Sequence, residues 1–85
     1  MIADVEPWRI IARTNVKSDM PWVLPHRYVL RHAETIDKDG SHHEYVVHTQ
    51  LMSDESFHNG HYTDSFINAV KVLKNRASEA GLKIK

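Results

Sequence analysis

The stretch of residues 62–82 constrains the fold of this chain more than any other part of the sequence. Its apolar residues recur at steps of four, three and four, the spacing of one face of an α-helix. This apolar stripe consists of Phe66, Val70, Leu73 and Ala77, widened by Ala69 and Ala80. We expect Thr63 or Asp64 to cap the helix and Gly81 to end it, with Leu82 folding back onto the last turn. A helix of this length is marginal alone, so the stripe must pack on a partner surface.

A predicted β-hairpin supplies that surface. Residues 27–36 and 42–52 are rich in β-branched and aromatic side chains, and the segment between them contains Asp39-Gly40, a strong hairpin turn signal. A two-residue turn at Asp39-Gly40 pairs Leu30 with Thr49. It also keeps Glu34 away from Glu44, whereas a slip of one residue would place these like charges opposite each other.

The predicted register assigns each residue of the hairpin to one of two faces. The face on which the helix docks carries Tyr28, Leu30, His32, Ile36, Tyr45, Val47 and Leu51. The opposite face carries Val29, Arg31, Ala33, Thr35, Glu44, Val46, His48 and Gln50. We expect this second face to be half-exposed, as in an antiparallel sheet with one covered side.

The remaining segments complete a prediction of one α+β domain over residues 1–85. Residues 8–15 are predicted to form a first strand, with Trp8, Ile10 and Ala12 on one face. Residues 53–62 are predicted to link the sheet to the helix, with a turn at Asn59-Gly60. The expected architecture is β-β-β-α, a three-stranded, mostly antiparallel sheet with one carboxyl-terminal amphipathic helix packed on one face.

The connection at residues 18–26 contains two prolines and three large apolar side chains. Because proline removes a backbone donor, we do not expect this segment to form a central strand. Its apolar side chains are Met20, Trp22 and Leu24. We expect them to pack over one end of the core, since a small domain needs all its apolar groups. The alternative is an exposed patch in which Trp22 anchors a partner.

Composition excludes several classes of protein. No stretch approaches the roughly 20 apolar residues of a spanning helix, and Met1–Pro7 lacks the pattern of a signal peptide. The absence of cysteine excludes a disulfide scaffold and is compatible with the cytoplasm, which we predict as the location. A net charge of zero, from 11 basic and 11 acidic residues, argues against binding nucleic acid by bulk charge. It equally argues against an acidic DNA mimic.

Histidine is the enriched reactive residue type, with seven in the chain. His58 and His61, three residues apart in a turn-rich segment, could share a zinc or nickel ion. His26 or His48 could complete the site, and Asp54, Glu55 or Asp64 could add a carboxylate. A second interpretation is a pH switch, because residues 37–62 contain five histidines among five acids and one base. We weigh both against solvated surface histidines and predict no metal or other cofactor.

Two further interpretations are catalysis and nucleic-acid binding. His32, Glu34 and Tyr45 are expected to adjoin, which could serve acid–base chemistry, but no recognised nucleophile accompanies them. A sheet face with basic groups could bind nucleic acid, although we expect no aromatic pair on it. The basic residues considered are Arg9, Arg13, Arg31, Lys71, Lys74 and Arg76.

The stretch Phe57-His58-Asn59-Gly60-His61-Tyr62, followed by an amphipathic helix ending near Arg76, resembles small proteins of phages and other mobile elements. This resemblance covers about a third of the chain and implies a compact inhibitor of a host complex, of the anti-CRISPR type. The chain is short and neutral, has no catalytic motif, and has aromatic, histidine-rich loops beside a polar sheet face. From these features we predict a non-enzymatic protein-binding module. Its predicted contact residues are Trp22, Arg31, His48, His58, His61 and Tyr62. A homodimer through an uncapped sheet edge is a further prediction.

Overall fold

Four antiparallel strands and one helix follow one another along the chain in a computed structural model, which describes residues 8–85. The elements are β1 (Arg9–Arg13), β2 (His26–Asp37), β3 (Gly40–Leu51), β4 (Phe57–Thr63) and α1 (Phe66–Ala80). The strand order is β1-β2-β3-β4, so each strand pairs with its neighbours in sequence. The α+β class and the carboxyl-terminal helix are confirmed, but the sheet has four strands rather than three. Met1–Pro7, the segment predicted to lack a signal peptide, lies outside the described residues.

The additional strand, β4, comes from the segment that the sequence predicted to be a linker. Its register places Tyr62 opposite Val46 and Phe57 opposite Gln50. The expected turn at Asn59-Gly60 is instead a bulge inside β4, where Asn59 has a left-handed φ of 55°. Asn-Gly suits the left-handed conformations of turns and of bulges alike, so the dipeptide could not distinguish the two.

The predicted hairpin register is wrong by two residues. Leu30 lies opposite Val47, and His32 lies opposite Tyr45. Because side chains alternate with a period of two, a shift of two residues leaves each residue on its predicted face.

The shift originates in the turn between β2 and β3. The two loop residues are Lys38 and Asp39, and Asp37 pairs with Gly40. The Asp37 carboxylate accepts a hydrogen bond from the Asp39 backbone N–H over 2.8 Å. This bond favours a turn whose two loop residues are 38 and 39 rather than 39 and 40. Gly40 follows with a φ of 117°, a conformation that glycine adopts without a steric cost.

The core lies between α1 and the face of the sheet on which the helix was predicted to dock. Leu30, Val47, Ala69 and Leu73 are buried together there, with Tyr28, Tyr45 and Val70 among the partly buried side chains around them. The predicted helical stripe is therefore confirmed at its centre. At the start of the helix Phe66 remains half-exposed, although its ring lies 5.5 Å from that of Tyr45.

The helix begins one residue later than the predicted caps allow. Ser65 is the N-cap, and its hydroxyl accepts a hydrogen bond from the Asn68 backbone N–H over 3.2 Å. Thr63 supports this cap indirectly, because its hydroxyl accepts from the Ser65 N–H over 3.1 Å. Asp64 is not the cap, so that prediction is wrong.

The helix ends as predicted. Gly81 has a left-handed φ of 71°, and the N–H of Leu82 donates to the carbonyl of Ala77 over 2.7 Å. Within residues 8–85, the structure contains no helix long and apolar enough to cross a membrane.

The first strand is shorter than predicted and contains a bulge. The pairing of β1 with β2 shifts between Ile10 and Ala12, so Ile10 lies opposite Arg31 whereas Ala12 lies opposite Leu30. Arg31 and Leu30 point to opposite faces of the sheet, so Ile10 and Ala12 also lie on opposite faces. The prediction that Ile10 and Ala12 share one face is therefore wrong.

The last residues of the chain pair with the segment that leaves β1. The Lys85 N–H donates to the Arg13 carbonyl over 2.8 Å, and the Asn15 N–H donates to the Lys83 carbonyl over 3.0 Å. This tail therefore runs beside the outer edge of the sheet at the end of β1.

The hairpin of β2 and β3 is longer than the helix that covers it. Twelve strand residues span about 40 Å, whereas the fifteen residues of α1 span about 22 Å. Residues 34–44, which we call the hairpin arm, are all exposed.

Candidate functional site

The structure places the six predicted contact residues in three separate regions. Trp22 lies in the loop before β2. Arg31, His48 and Tyr62 share the face of the sheet that points away from α1, as their pairing with residues of that face shows. His58 and His61 lie opposite Thr49 and Val47, on the helix side of β4.

The loop of residues 18–25, which we call the Trp22 loop, is closed at its base by two backbone hydrogen bonds. The Lys17 N–H donates to the His26 carbonyl over 2.6 Å, and the His26 N–H donates to the Lys17 carbonyl over 3.1 Å. Inside the loop, the Val23 N–H donates to the Met20 carbonyl over 3.2 Å. These bonds and two prolines restrict the backbone of a segment that has no strand or helix of its own.

The large side chains of the Trp22 loop point into solvent. Trp22 is 80% exposed and Leu24 is 61% exposed, and Met20 is also exposed. The expectation that they pack over the core is wrong, because the space beneath α1 is already filled by residues such as Leu30 and Leu73. The alternative prediction, an exposed patch, matches this arrangement.

Contacts with the rest of the domain hold the base of the Trp22 loop. The Lys17 ammonium group donates to the Ala80 carbonyl at the end of α1 over 3.0 Å and lies 3.3 Å from the Asp19 carboxylate. On the other side, the Met52 N–H donates to the Pro25 carbonyl over 3.0 Å. The loop is therefore attached to both the helix and the end of β3.

The face of the sheet away from α1 is largely buried, which contradicts the predicted half-exposed face. The residues of this face that are buried are Val29, Ala33, Val46, His48 and Gln50. The Arg31 guanidinium lies 4.3 Å from the centre of the Phe57 ring and 5.5 Å from that of Trp8. Since Arg31 is on β2 and Phe57 is on β4, this side chain crosses over β3 and covers part of the face.

Aromatic rings lie on this face, although the sequence predicted no aromatic pair there. Trp8 and Tyr62 pack edge to face with ring centres 6.0 Å apart. The prediction failed because Phe57 and Tyr62 were placed in a linker. The sequence signal that could have indicated a strand here is the pair of apolar residues at the two ends of the 57–62 stretch.

His48 lies beneath these aromatic groups and is 7% exposed. Its ring centre is 5.3 Å from that of Phe57 and 5.8 Å from that of Tyr62. Among the described residues, its Nδ1 atom has no hydrogen-bond partner. Burial lowers the pKa of His48 below its ordinary value, and the nearby charges of Arg31, Arg76 and His58 lower it further.

This lowered pKa predicts that the domain loses stability in mild acid. The folded state binds fewer protons at His48 than the unfolded state, so the contribution is fully present above pH 6.5 and is lost as the pH falls below that value. We expect the free energy of unfolding, measured by urea titration between pH 7.5 and 5, to decrease more steeply in the wild type than in His48→Gln. Equal slopes would contradict the assignment, and the exposed His61→Gln variant is the control for general histidine titration.

Asp54, Ser56 and His58 form a small exposed cluster before and within β4. The Ser56 hydroxyl lies 2.6 Å from Asp54 Oδ1 and 2.7 Å from His58 Nε2. Hydrogen bonds from the side chain and backbone of Ser56 lower the pKa of Asp54. The serine is the central member, unlike a catalytic triad in which the histidine lies between the nucleophile and the carboxylate.

The predicted metal ligands do not gather in one place. His58 and His61 lie on the helix side of β4, whereas His48 lies on the other face of the sheet. Across residues 8–85, no group of three or more histidine, aspartate and glutamate side chains is arranged to hold a metal ion.

The predicted cluster of His32, Glu34 and Tyr45 is connected through His43, which the sequence analysis did not include. His32 stacks on Tyr45 with ring centres 4.9 Å apart, and its Nε2 atom lies 2.9 Å from Nδ1 of His43. Glu34 Oε2 lies 3.9 Å from Nε2 of His43. The cross-strand register, which sequence alone did not determine correctly, is what places His43 here.

The basic residues considered for nucleic-acid binding are spread over the domain. Arg31 contacts aromatic rings, while Arg76 donates from Nη1 to the Val47 carbonyl over 3.2 Å. Lys71 and Lys74 are exposed on α1, so this set does not form one basic surface.

Comparisons with protein-family models, curated proteins and solved structures found no match for this chain.

Proposed function

We propose that this chain is a non-enzymatic protein-binding module whose Trp22 loop makes the central contact. The observation that carries the proposal is the 80% exposure of Trp22 in a loop closed by backbone hydrogen bonds. Tryptophan is among the residues most enriched at the energetic centres of protein interfaces. An exposed tryptophan beside an exposed leucine is costly in water unless a partner covers it.

The ordered backbone of the Trp22 loop also favours binding. Association costs free energy when flexible segments become ordered, and a loop that is already ordered avoids part of this cost. The bridge between Lys17 and His26 and the attachment of Lys17 to the end of α1 provide this order. The expected partner is a protein with an apolar pocket for Trp22 and Leu24.

A more specific proposal, an inhibitor of a host defence or nucleic-acid-processing complex, is based only on the resemblance of residues 57–62 and the helix to small phage proteins. It identifies the host lysate as the first place to look for the partner.

The alternative function, nucleic-acid binding on the sheet face away from α1, has one supporting observation. Arginine and aromatic side chains do lie together on that face. However, the Arg31 guanidinium already packs on the rings of Phe57 and Trp8, and of the three aromatic rings only that of Tyr62 is largely exposed. Stacking of bases needs accessible ring faces, so we favour the protein-binding function.

Substituting Trp22 tests the proposal. We expect Trp22→Ala to weaken partner binding at least tenfold, because it removes the largest exposed apolar side chain of the loop. The melting temperature should change little, since exposed positions typically alter stability by less than about 0.5 kcal/mol. The measurement compares proteins captured from a nuclease-treated host lysate by wild-type and variant domains, followed by affinity measurement with the purified partner.

The matched control is Ile36→Ala, which removes an apolar side chain of comparable exposure, 74%, from the hairpin arm. Its binding should equal that of the wild type. If Trp22→Ala binds as well as the wild type, the Trp22 loop is not the contact. If capture disappears with nuclease and binding falls steeply with salt, the nucleic-acid alternative replaces the proposal.

A further inference from the structure

Two imidazole nitrogens face each other on the helix side of the hairpin, where it extends into the hairpin arm. Nε2 of His32 and Nδ1 of His43 are 2.9 Å apart, and both residues belong to the longest strand pair of the sheet. We propose that His32 and His43 form a two-histidine site for a divalent copper or nickel ion. This site is separate from the Trp22 loop and does not depend on the proposed protein-binding function.

The distance between the two nitrogens selects the coordination geometry. Metal–imidazole bonds are about 2.0–2.1 Å long, so two nitrogens 2.9 Å apart subtend an angle of about 90° at a shared ion. This angle suits the square-planar or tetragonal coordination of Cu²⁺ and Ni²⁺. Tetrahedral zinc would need the nitrogens to separate to about 3.4 Å.

Each histidine is positioned by a neighbouring side chain. The His32 ring stacks on Tyr45 at an interplanar angle of 26°, and Tyr45 packs in turn against Phe66 of α1. The Glu34 carboxylate lies 3.9 Å from the outer nitrogen of His43, Nε2. This distance is longer than a hydrogen bond, but the negative charge there still favours a proton on Nε2, which leaves Nδ1 with a lone pair directed towards His32.

Without metal, one proton occupies the space between the two rings, because one nitrogen must donate and the other must accept. With His43 as the acceptor, His32 carries this proton on Nε2. Binding of the ion replaces that hydrogen bond, and the His32 proton moves to Nδ1, so each ring remains neutral. The two rings are nearly parallel, with an interplanar angle of 15° and centres 5.2 Å apart, so in the hydrogen bond the two nitrogens point at each other. Each ring must therefore turn about its side-chain bonds until both lone pairs point at the ion, and this change requires no movement of the strands.

The remaining coordination positions are open to water. The hairpin arm is exposed, and no third histidine or carboxylate of residues 8–85 joins the pair at one point. The expected site is therefore an accessible, two-ligand ion site rather than a closed structural one.

Calorimetric titration of the untagged chain with Cu²⁺, Ni²⁺ and Zn²⁺ tests the inference. We expect a 1:1 site for copper, with nickel bound more tightly than zinc because of the angle between the nitrogens. His32→Gln and His43→Gln should each weaken copper binding at least tenfold. Electron paramagnetic resonance of the copper complex should show two imidazole nitrogens in the wild type and one in either variant.

The matched controls are His42→Gln and His61→Gln, which remove exposed histidines outside the pair. His42 is adjacent to His43 in sequence but belongs to the other face of the sheet, where it lies opposite Thr35. Both controls should bind copper as the wild type does, and circular dichroism verifies that every variant is folded. Unchanged binding in His32→Gln and His43→Gln, or equal losses in the controls, would overturn the proposal.

Discussion

Replacement of Leu73 by alanine is expected to cost about 2–5 kcal/mol of folding stability, the range for a buried leucine truncated in a packed core. Leu73 is 1% exposed and packs with Leu30, Val47 and Ala69 between α1 and the sheet. A domain of 85 residues has a total stability of roughly 4–13 kcal/mol at typical values per residue. The substitution should therefore remove a large share of the stability, which urea denaturation followed by circular dichroism measures.

The same helix provides the control for this substitution. Ile67→Ala also shortens an apolar side chain on α1, but Ile67 is 67% exposed. Its effect should stay within about 0.5 kcal/mol. Similar losses in the two variants would mean that α1 does not pack on the sheet through Leu73.

Replacement of Gly60 by alanine is expected to cost about 1–3 kcal/mol, because the added methyl group would overpack the site around His48. A Cβ atom at Gly60 would lie 2.6 Å from Nε2 of His48 and 3.0 Å from Cε1 of Tyr62. His48 has little room to retreat, since it is buried and its ring is close to that of Phe57. At about 4–8 °C per kcal/mol for a domain of this size, the melting temperature should fall clearly.

A double-mutant cycle separates the steric clash from any effect on the backbone of β4. His48→Ala removes the ring that the new methyl group would meet, so Gly60→Ala should cost much less in that background. The same cost in both backgrounds would show that the backbone, rather than the contact with His48, requires glycine at this position.

The sequence predicted those parts of the fold that depend on local patterns. The spacing of Leu73 and Ala77 identified the buried face of α1, and Gly81 marked its end because a left-handed residue there is usually glycine. Alternation along β2 and β3 assigned Leu30 and Val47 to the correct face even though the register was wrong by two residues.

The parts that failed depend on contacts between distant segments or on signals with two meanings. Asn59-Gly60 suits a turn as well as a bulge, so β4 was predicted as a linker. Without β4, Phe57 and Tyr62 could not be placed beside Arg31, and the second face of the sheet was predicted to be half-exposed.

The candidate sites also divide into features that local sequence patterns indicate and features that depend on contacts between distant segments. Trp22 was identified from the sequence as a residue that is either packed or available to a partner, and only the tertiary structure shows its exposure. His32 and His43 meet because of the cross-strand register, which goes with the two-residue turn at Lys38 and Asp39. The position of the turn and the side chains that meet farther along the hairpin are therefore linked.

The irregularities of the outer strands also bear on aggregation. A regular edge strand presents a row of free amide and carbonyl groups on which another chain can grow a cross-β assembly. In this sheet, β1 is interrupted by a bulge between Ile10 and Ala12, and β4 by one at Asn59-Gly60. Each outer strand thus has a break in the regular spacing that fibril growth requires, a feature that native sheets use to oppose edge-to-edge association.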